Sequence, residues 1–149
     1  MTATGHALIG TVIAAKIGNP ALAIPIALAS HFAADAIPHW DTGYHRRQKS
    51  KQRFFAQTFI DVAIGFALSY GLISLFFPST NLTYAFFIIL IAQLPDWLTA
   101  PYLFFDMDFP PFSSSYKLQK IFDRSIGMPW GVINQVAAVI LIIVLGKFF

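Results

Sequence analysis

Five apolar stretches, at residues 5–17, 21–37, 54–77, 84–105 and 129–146, constrain what this chain can fold into more than any other feature. Runs of about 20 apolar residues have no use on a water-facing surface, but as helices rising 1.5 Å per residue they match a ~30 Å hydrocarbon core. Composition agrees: 56% of residues are hydrophobic and 11% charged, where a soluble domain carries about 25% charged residues. The same balance excludes a disordered chain, which is poor in apolar residues and rich in charge. Without cysteine, neither a disulfide nor a thiolate metal site is available. The expectation is an all-α fold, a single-domain polytopic integral membrane helical bundle over residues 1–149, with about five apolar helices.

The first stretch has 13 residues and covers only ~20 Å before the turn signal Gly18-Asn19-Pro20, so it is short, tilted or partly inserted. The second is long enough to span, with Pro25 tolerable near its start. The third and fourth are full spans, the fourth interrupted at Leu94-Pro95-Asp96 and again at Pro101. The fifth opens on Pro129, at a position where a helix needs no N–H. Residues 114–127 form a small amphipathic helix: Leu118, Ile121, Phe122 and Ile126 recur at helical spacing, with Lys117, Lys120, Asp123 and Arg124 on other faces. It either lies along the headgroups or caps the bundle. The N-terminus has no basic region before its apolar run, which predicts no signal peptide.

Charge sets the orientation. If the first two stretches form a hairpin, loops 38–53 and 106–128 share a side and hold eight of the ten basic residues; Lys16 and Lys147 fall opposite. The bias of Lys and Arg toward the inside predicts that both long loops are cytoplasmic. It also accounts for the pI of about 9.3 without nucleic acid, since no basic patch interleaved with aromatic residues is present.

Ionisable residues inside spans cost at least ~2.5 kcal/mol, so they face the protein interior and have partners. His31 and Asp35 lie four residues apart on one helix face; His39 and Asp41 follow beyond Pro38. His6 opens the first helix, Asp61 lies about two turns into the third, and Asp96 sits at the break in the fourth. All fall in the cytoplasmic half, which predicts one polar pocket among helices one to four. Imidazole and carboxylate together are ligands for Zn²⁺, Mn²⁺ or Fe²⁺, and this set suffices for one ion or a pair ~3.5–4 Å apart. The expected ligands are His6, His31, Asp35, His39 and Asp61, with Asp96 or Asp41 as base or supporting partner. The plainer alternatives are that Asp61 hydrogen-bonds between helices, Asp96 caps the second half of a broken helix, His6 faces solvent, and His39 and Asp41 are interfacial loop residues.

The opening Met1-Thr2-Ala3-Thr4-Gly5-His6, running into a short apolar helix, resembles that of bacterial inner-membrane proteins assigned as metal-dependent hydrolases, the LexA-regulated YdjM-like group. The resemblance covers residues 1–45. Ile37-Pro38-His39-Trp40-Asp41 stands where that family has Leu-Pro-Asp-x-Asp-His, in a different order, and Leu94-Pro95-Asp96 repeats its first three letters. Tyr44-His45-Arg46-Arg47 keeps only the His-Arg of a His-Arg-Gly-x-Thr-His-Ser run. The resemblance implies a metal-dependent hydrolase of the cell (inner) membrane and carries over His6 and, on a less complete match, Asp41 as ligands.

Three functions are compatible with these residues. A membrane-embedded metal-dependent hydrolase would activate water on its metal against a lipid-like phosphoester or ester from the cytoplasmic leaflet. A proton or divalent-cation carrier or channel would use the same Asp and His as a relay, with the helix broken at Pro95-Asp96 resembling the discontinuous helices of transporters. It lacks an inverted repeat and a polar exit path, which a homo-oligomer would have to supply. A non-catalytic membrane protein would use the cluster only to lock helices together. No covalent nucleophile and no phosphate-cradling glycine loop is present.

Overall fold

A computed structural model describes residues 1–148. Among the described residues the fold is all-helical, with α1 (Ala3–Lys16), α2 (Pro20–Asp35), a 3₁₀ turn (Arg46–Gln48), α3 (Lys51–Phe76), α4 (Leu82–Ala92), α5 (Leu94–Phe105), α6 (Phe112–Phe122) and α7 (Trp130–Phe148). Side-chain oxygens cap four N-termini: Thr2 accepts from Gly5 N, Asn19 from Ala21 N, Ser50 from Arg53 N and Asn81 from Tyr84 N.

α1 is the centre of the bundle, packed on α2, α3, α4 and α7. Most of its residues are buried, His6 and Thr11 among them, as suits a helix with protein all round it. Its small residues allow close approach, as in membrane helix packing: a Cβ on Gly10 would lie 2.9 Å from Ala92 Cβ and 3.1 Å from Ile89 Cα. Around it, the outer helices leave apolar side chains bare, among them Phe59, Leu75, Phe87 and Ile140, each more than half exposed. An unbroken apolar exterior of this kind marks a surface meant for lipid or protein.

The expectation of about five apolar helices holds in part: fewer than five are long and apolar enough to cross a membrane. Two helices, α3 with 26 residues and α7 with 19, are long and apolar enough to cross a membrane; α4 and α5 make a third if the pair, bent by 53°, counts as one span. α1 and α2, with 14 and 16 residues, reach only ~21 and ~24 Å. The bend falls where the sequence interrupts the fourth stretch. Pro95 occupies the first turn of α5, where no N–H is needed, and the Gln93 side chain at the break donates to Ala3 O (2.9 Å). The start of α5 is thereby tied to the start of α1.

α6 stops at Phe122 rather than running to residue 127. It docks on α5, where Gln119 Nε2 donates to Thr99 Oγ1 (2.6 Å) and Ser115 Oγ to Pro95 O (3.1 Å). Beyond it the chain is extended and returns beside the end of α2. Arg124 N donates to Asp35 O (3.0 Å), His39 N to Arg124 O (3.2 Å) and Ile126 N to His39 O (2.7 Å). This short pairing closes the end of the bundle that carries the two long loops, and it fixes residues 123–126 against residues 35–39.

Candidate metal centre

The polar residues of α1, α2, α5 and the two paired segments meet at one end of the bundle. His6 lies one turn into α1; its ring stacks on that of His31 at a centroid distance of 3.8 Å and an interplanar angle of 12°. Asp35, at the end of α2, is the hub. Its Oδ1 lies 3.2 Å from His6 Nε2 and 4.0 Å from His39 Nε2, while its Oδ2 lies 3.3 Å from His31 Nε2. Two triads flank it. His6, His31 and Asp96 each offer a ligand atom within 4.8 Å of the others, and so do His39, Asp41 and Asp123. Asp96 Oδ1 is 3.6 Å from His31 Nε2, and Asp41 Oδ2 and Asp123 Oδ1 are each 3.5 Å from His39 Nε2.

Hydrogen bonding fixes which nitrogen faces the acids. His31 Nδ1 donates to Ala92 O and His39 Nδ1 to Ile37 O, both at 2.8 Å. A carbonyl only accepts, so each Nδ1 carries the hydrogen and each neutral ring turns the lone pair of Nε2 toward carboxylate oxygen. Both Nε2 atoms, and both nitrogens of His6, are buried without a hydrogen-bond partner. Lone pair facing lone pair in a buried site calls for a positive charge between them. Protons would supply it one ring at a time, since protonating both His6 and His31 would stack two imidazoliums 3.8 Å apart. One divalent cation serves several of these lone pairs at once, and backbone carbonyls behind the rings orient them as they do metal-ligating histidines. The donor set therefore fits metal. The Met1 amine also contacts Asp35 Oδ1, the oxygen that faces His6 and His39, so it would have to move aside for that oxygen to reach an ion.

Six of the seven residues singled out in the sequence come together here: His6, His31, Asp35, His39, Asp41 and Asp96. Asp61 does not. Its carboxylate accepts from Ala3 N (2.7 Å), Thr4 N (3.2 Å) and Thr4 Oγ1 (2.7 Å), and so caps the N-terminus of α1. Asp61 thus stands apart from the cluster, its oxygens turned to three donors at the start of α1. Replacing Asp61 with alanine should cost about 1–2 kcal/mol of stability through the lost cap and leave metal content unchanged; denaturant unfolding beside elemental analysis checks both.

Asp123 belongs to the site although sequence periodicity places it on the polar face of an amphipathic helix. α6 ends one residue earlier and Asp123 turns inward, its Oδ1 accepting from Ser125 N (3.0 Å). The signal available in the sequence is this Asp-x-Ser turn ahead of Gly127. Lys120 Nζ lies 2.5 Å from Asp123 Oδ2; burial works against its charge, but that carboxylate holds the ammonium above the usual lysine value.

The cluster opens into a cavity of about 800 Å³. Asp35, Asp41, Asp96 and Asp123 form its floor. Of these the Asp96 side chain is the most accessible, at 41% exposed. No protein-family profile, curated protein or solved structure matches this chain.

Proposed function

We propose that the chain is a membrane-embedded hydrolase that uses two divalent cations, zinc, manganese or iron, to cleave a lipid-like phosphoester or ester. The observation that carries this reading is the pair of buried Nε2 lone pairs, on His31 and His39, aimed at carboxylates of two triads that share Asp35. Paired sites of imidazole and carboxylate joined by one carboxylate are suited to phosphoryl and acyl hydrolysis. The resemblance of residues 1–45 to YdjM-like inner-membrane proteins supports the same class. With loops 38–53 and 106–128 rich in Lys and Arg, the site faces the cytoplasm of an inner membrane.

His6, His31 and Asp96 would hold one ion and His39, Asp41 and Asp123 the other, with Asp35 within reach of the imidazoles of both triads. Bound there, the cations supply a nucleophile from water at neutral pH and offset charge that develops on substrate oxygens. The chain does the rest. Ala92 O and Ile37 O fix the imidazole tautomers, the extended pairing of 124–126 with 35–39 holds the two triads in register, and the oxygen of Asp96 not facing His31, open to the cavity, would accept a proton from the incoming water.

Detergent-purified protein should hydrolyse bis(p-nitrophenyl) phosphate or a phospholipid, lose the activity to a chelator, and regain it with zinc, manganese or iron. It should carry no metal or proton flux in proteoliposomes. Flux without hydrolysis would replace this reading with the carrier, for which the bend at Gln93 beside Asp96 is the favouring observation.

A further inference from the structure

The cavity above the acids has two other walls. One is basic: Arg46 and Arg47, from the 3₁₀ turn, line it. Among the described residues, no carboxylate pairs with either guanidinium; the nearby ion pairs are Lys51 with Asp106 and Lys120 with Asp123. The same two arginines, with Lys49 and Lys51, line a smaller adjoining pocket of about 180 Å³. The other wall is apolar. Phe55, Phe59 and Val62 from α3 face Trp97, Ala100 and Phe105 from α5 across the cavity. α3 and α5 are not packed along their lengths. They are clasped at the loop end, where the Phe104 ring lies 4.9 Å from Phe54 and 5.3 Å from Phe55. Below the clasp, Phe59 and Trp97 are 66% and 41% exposed on what is otherwise the apolar exterior of the bundle.

We infer that the gap between α3 and α5 is a lateral portal for the alkyl chain of a single- or double-chained amphiphile whose phosphate headgroup is held by Arg46 and Arg47. Charge complementarity identifies the headgroup: guanidinium forks without a carboxylate partner match phosphate in bidentate geometry. Continuity identifies the chain: one cavity runs from those guanidinium groups and the acid floor to an aromatic slot that ends on the bilayer-facing surface. The occupant is thus a lipid phosphate drawn from the membrane, not a free phosphate from solution. The inference deepens the proposed hydrolase by naming its substrate class and rests on that reading only for where the reacting bond would lie; the binding needs no metal.

The test uses the full chain in a neutral detergent, in a Trp40→Phe/Trp130→Phe background that leaves Trp97 as the single indole. Titration with 12-bromododecyl phosphate should quench Trp97 saturably, with or without a chelator. Arg46→Ala/Arg47→Ala should weaken that binding at least about tenfold, the scale of one lost charge-assisted contact. Ala100→Phe, which fills the slot, should abolish it. Dodecyl phosphate should compete, and inorganic phosphate should not. If the alanine pair unfolds, Arg46→Gln/Arg47→Gln takes its place, with unchanged circular dichroism as the criterion. Quenching that rises linearly and equally in all proteins would reflect micelle partitioning and overturn the portal. Competition by inorganic phosphate as strong as by dodecyl phosphate would overturn the lipid assignment. Because binding is read without metal, a metal-free protein leaves the portal standing, and absent binding leaves the metal centre standing.

Discussion

Asp35→Asn should empty both metal sites. Asp35 is the one carboxylate whose two oxygens reach His6, His31 and His39 together, so its loss removes a negative charge and a shared ligand from both triads. Loss of a partner that merely orients a ligand lowers affinity about 10–100-fold; a bridging ligand should cost at least about 100-fold at each ion, by the same scale. Hydrolysis should fall to background. The fold should survive, because the variant also removes one of several buried acids that repel each other in the empty site. Melting distinguishes the two effects. Wild-type protein should gain about 2.7 kcal/mol when metal is present at 100 times its Kd, while Asp35→Asn should melt at the same temperature with and without metal. A variant that keeps two ions would remove Asp35 from the centre of the site.

Gly131→Ala should damage the site from a distance. Gly131 begins α7 against the segment that carries His39, and a Cβ there would lie 2.6 Å from Trp40 N and 2.8 Å from both His39 C and Ile126 O. All three are backbone atoms, so no side chain can swing aside. Either α7 retreats or the pairing of His39 with residues 124–126 opens, and overpacking of this kind costs about 1–3 kcal/mol. The displaced residues are those that hold the second triad, His39, Asp41 and Asp123. The variant should therefore retain one ion of two, and hydrolysis should drop by about 100-fold, the scale of an ångström's misplacement. Gly71→Ala is the control, since a Cβ at that position meets nothing within 4 Å. A Gly131→Ala protein with two ions and full activity would show that the pairing of His39 with Ser125 does not position the site.

These residues also show how much of the fold and site is legible in the sequence. The break in the fourth apolar stretch is, because proline punctuation acts locally: the bend expected at Leu94-Pro95-Asp96 falls between α4 and α5. The meeting of His6, His31, Asp35 and Asp96 is legible because burying an ionisable group in an apolar span requires partners, and a two-helix hairpin places their depths alike. The number of spans is not. Apolar content cannot tell α1, wrapped by four helices, from a helix that faces lipid. Asp61 looks like the other acids within apolar runs, and only the position of α1's first turn shows that its oxygens are occupied by Ala3 and Thr4. Asp123 is hidden because periodicity continues past Phe122 while the backbone leaves the helix to pair with the end of α2.

Whether two triads joined by Asp35 bind two divalent cations is decided by elemental mass spectrometry of the full chain, purified in detergent and dialysed against zinc, manganese or iron. Two equivalents per chain are expected. A folded protein that takes up no metal under those conditions would contradict the proposed centre, and would leave the buried imidazoles to be explained by protons alone.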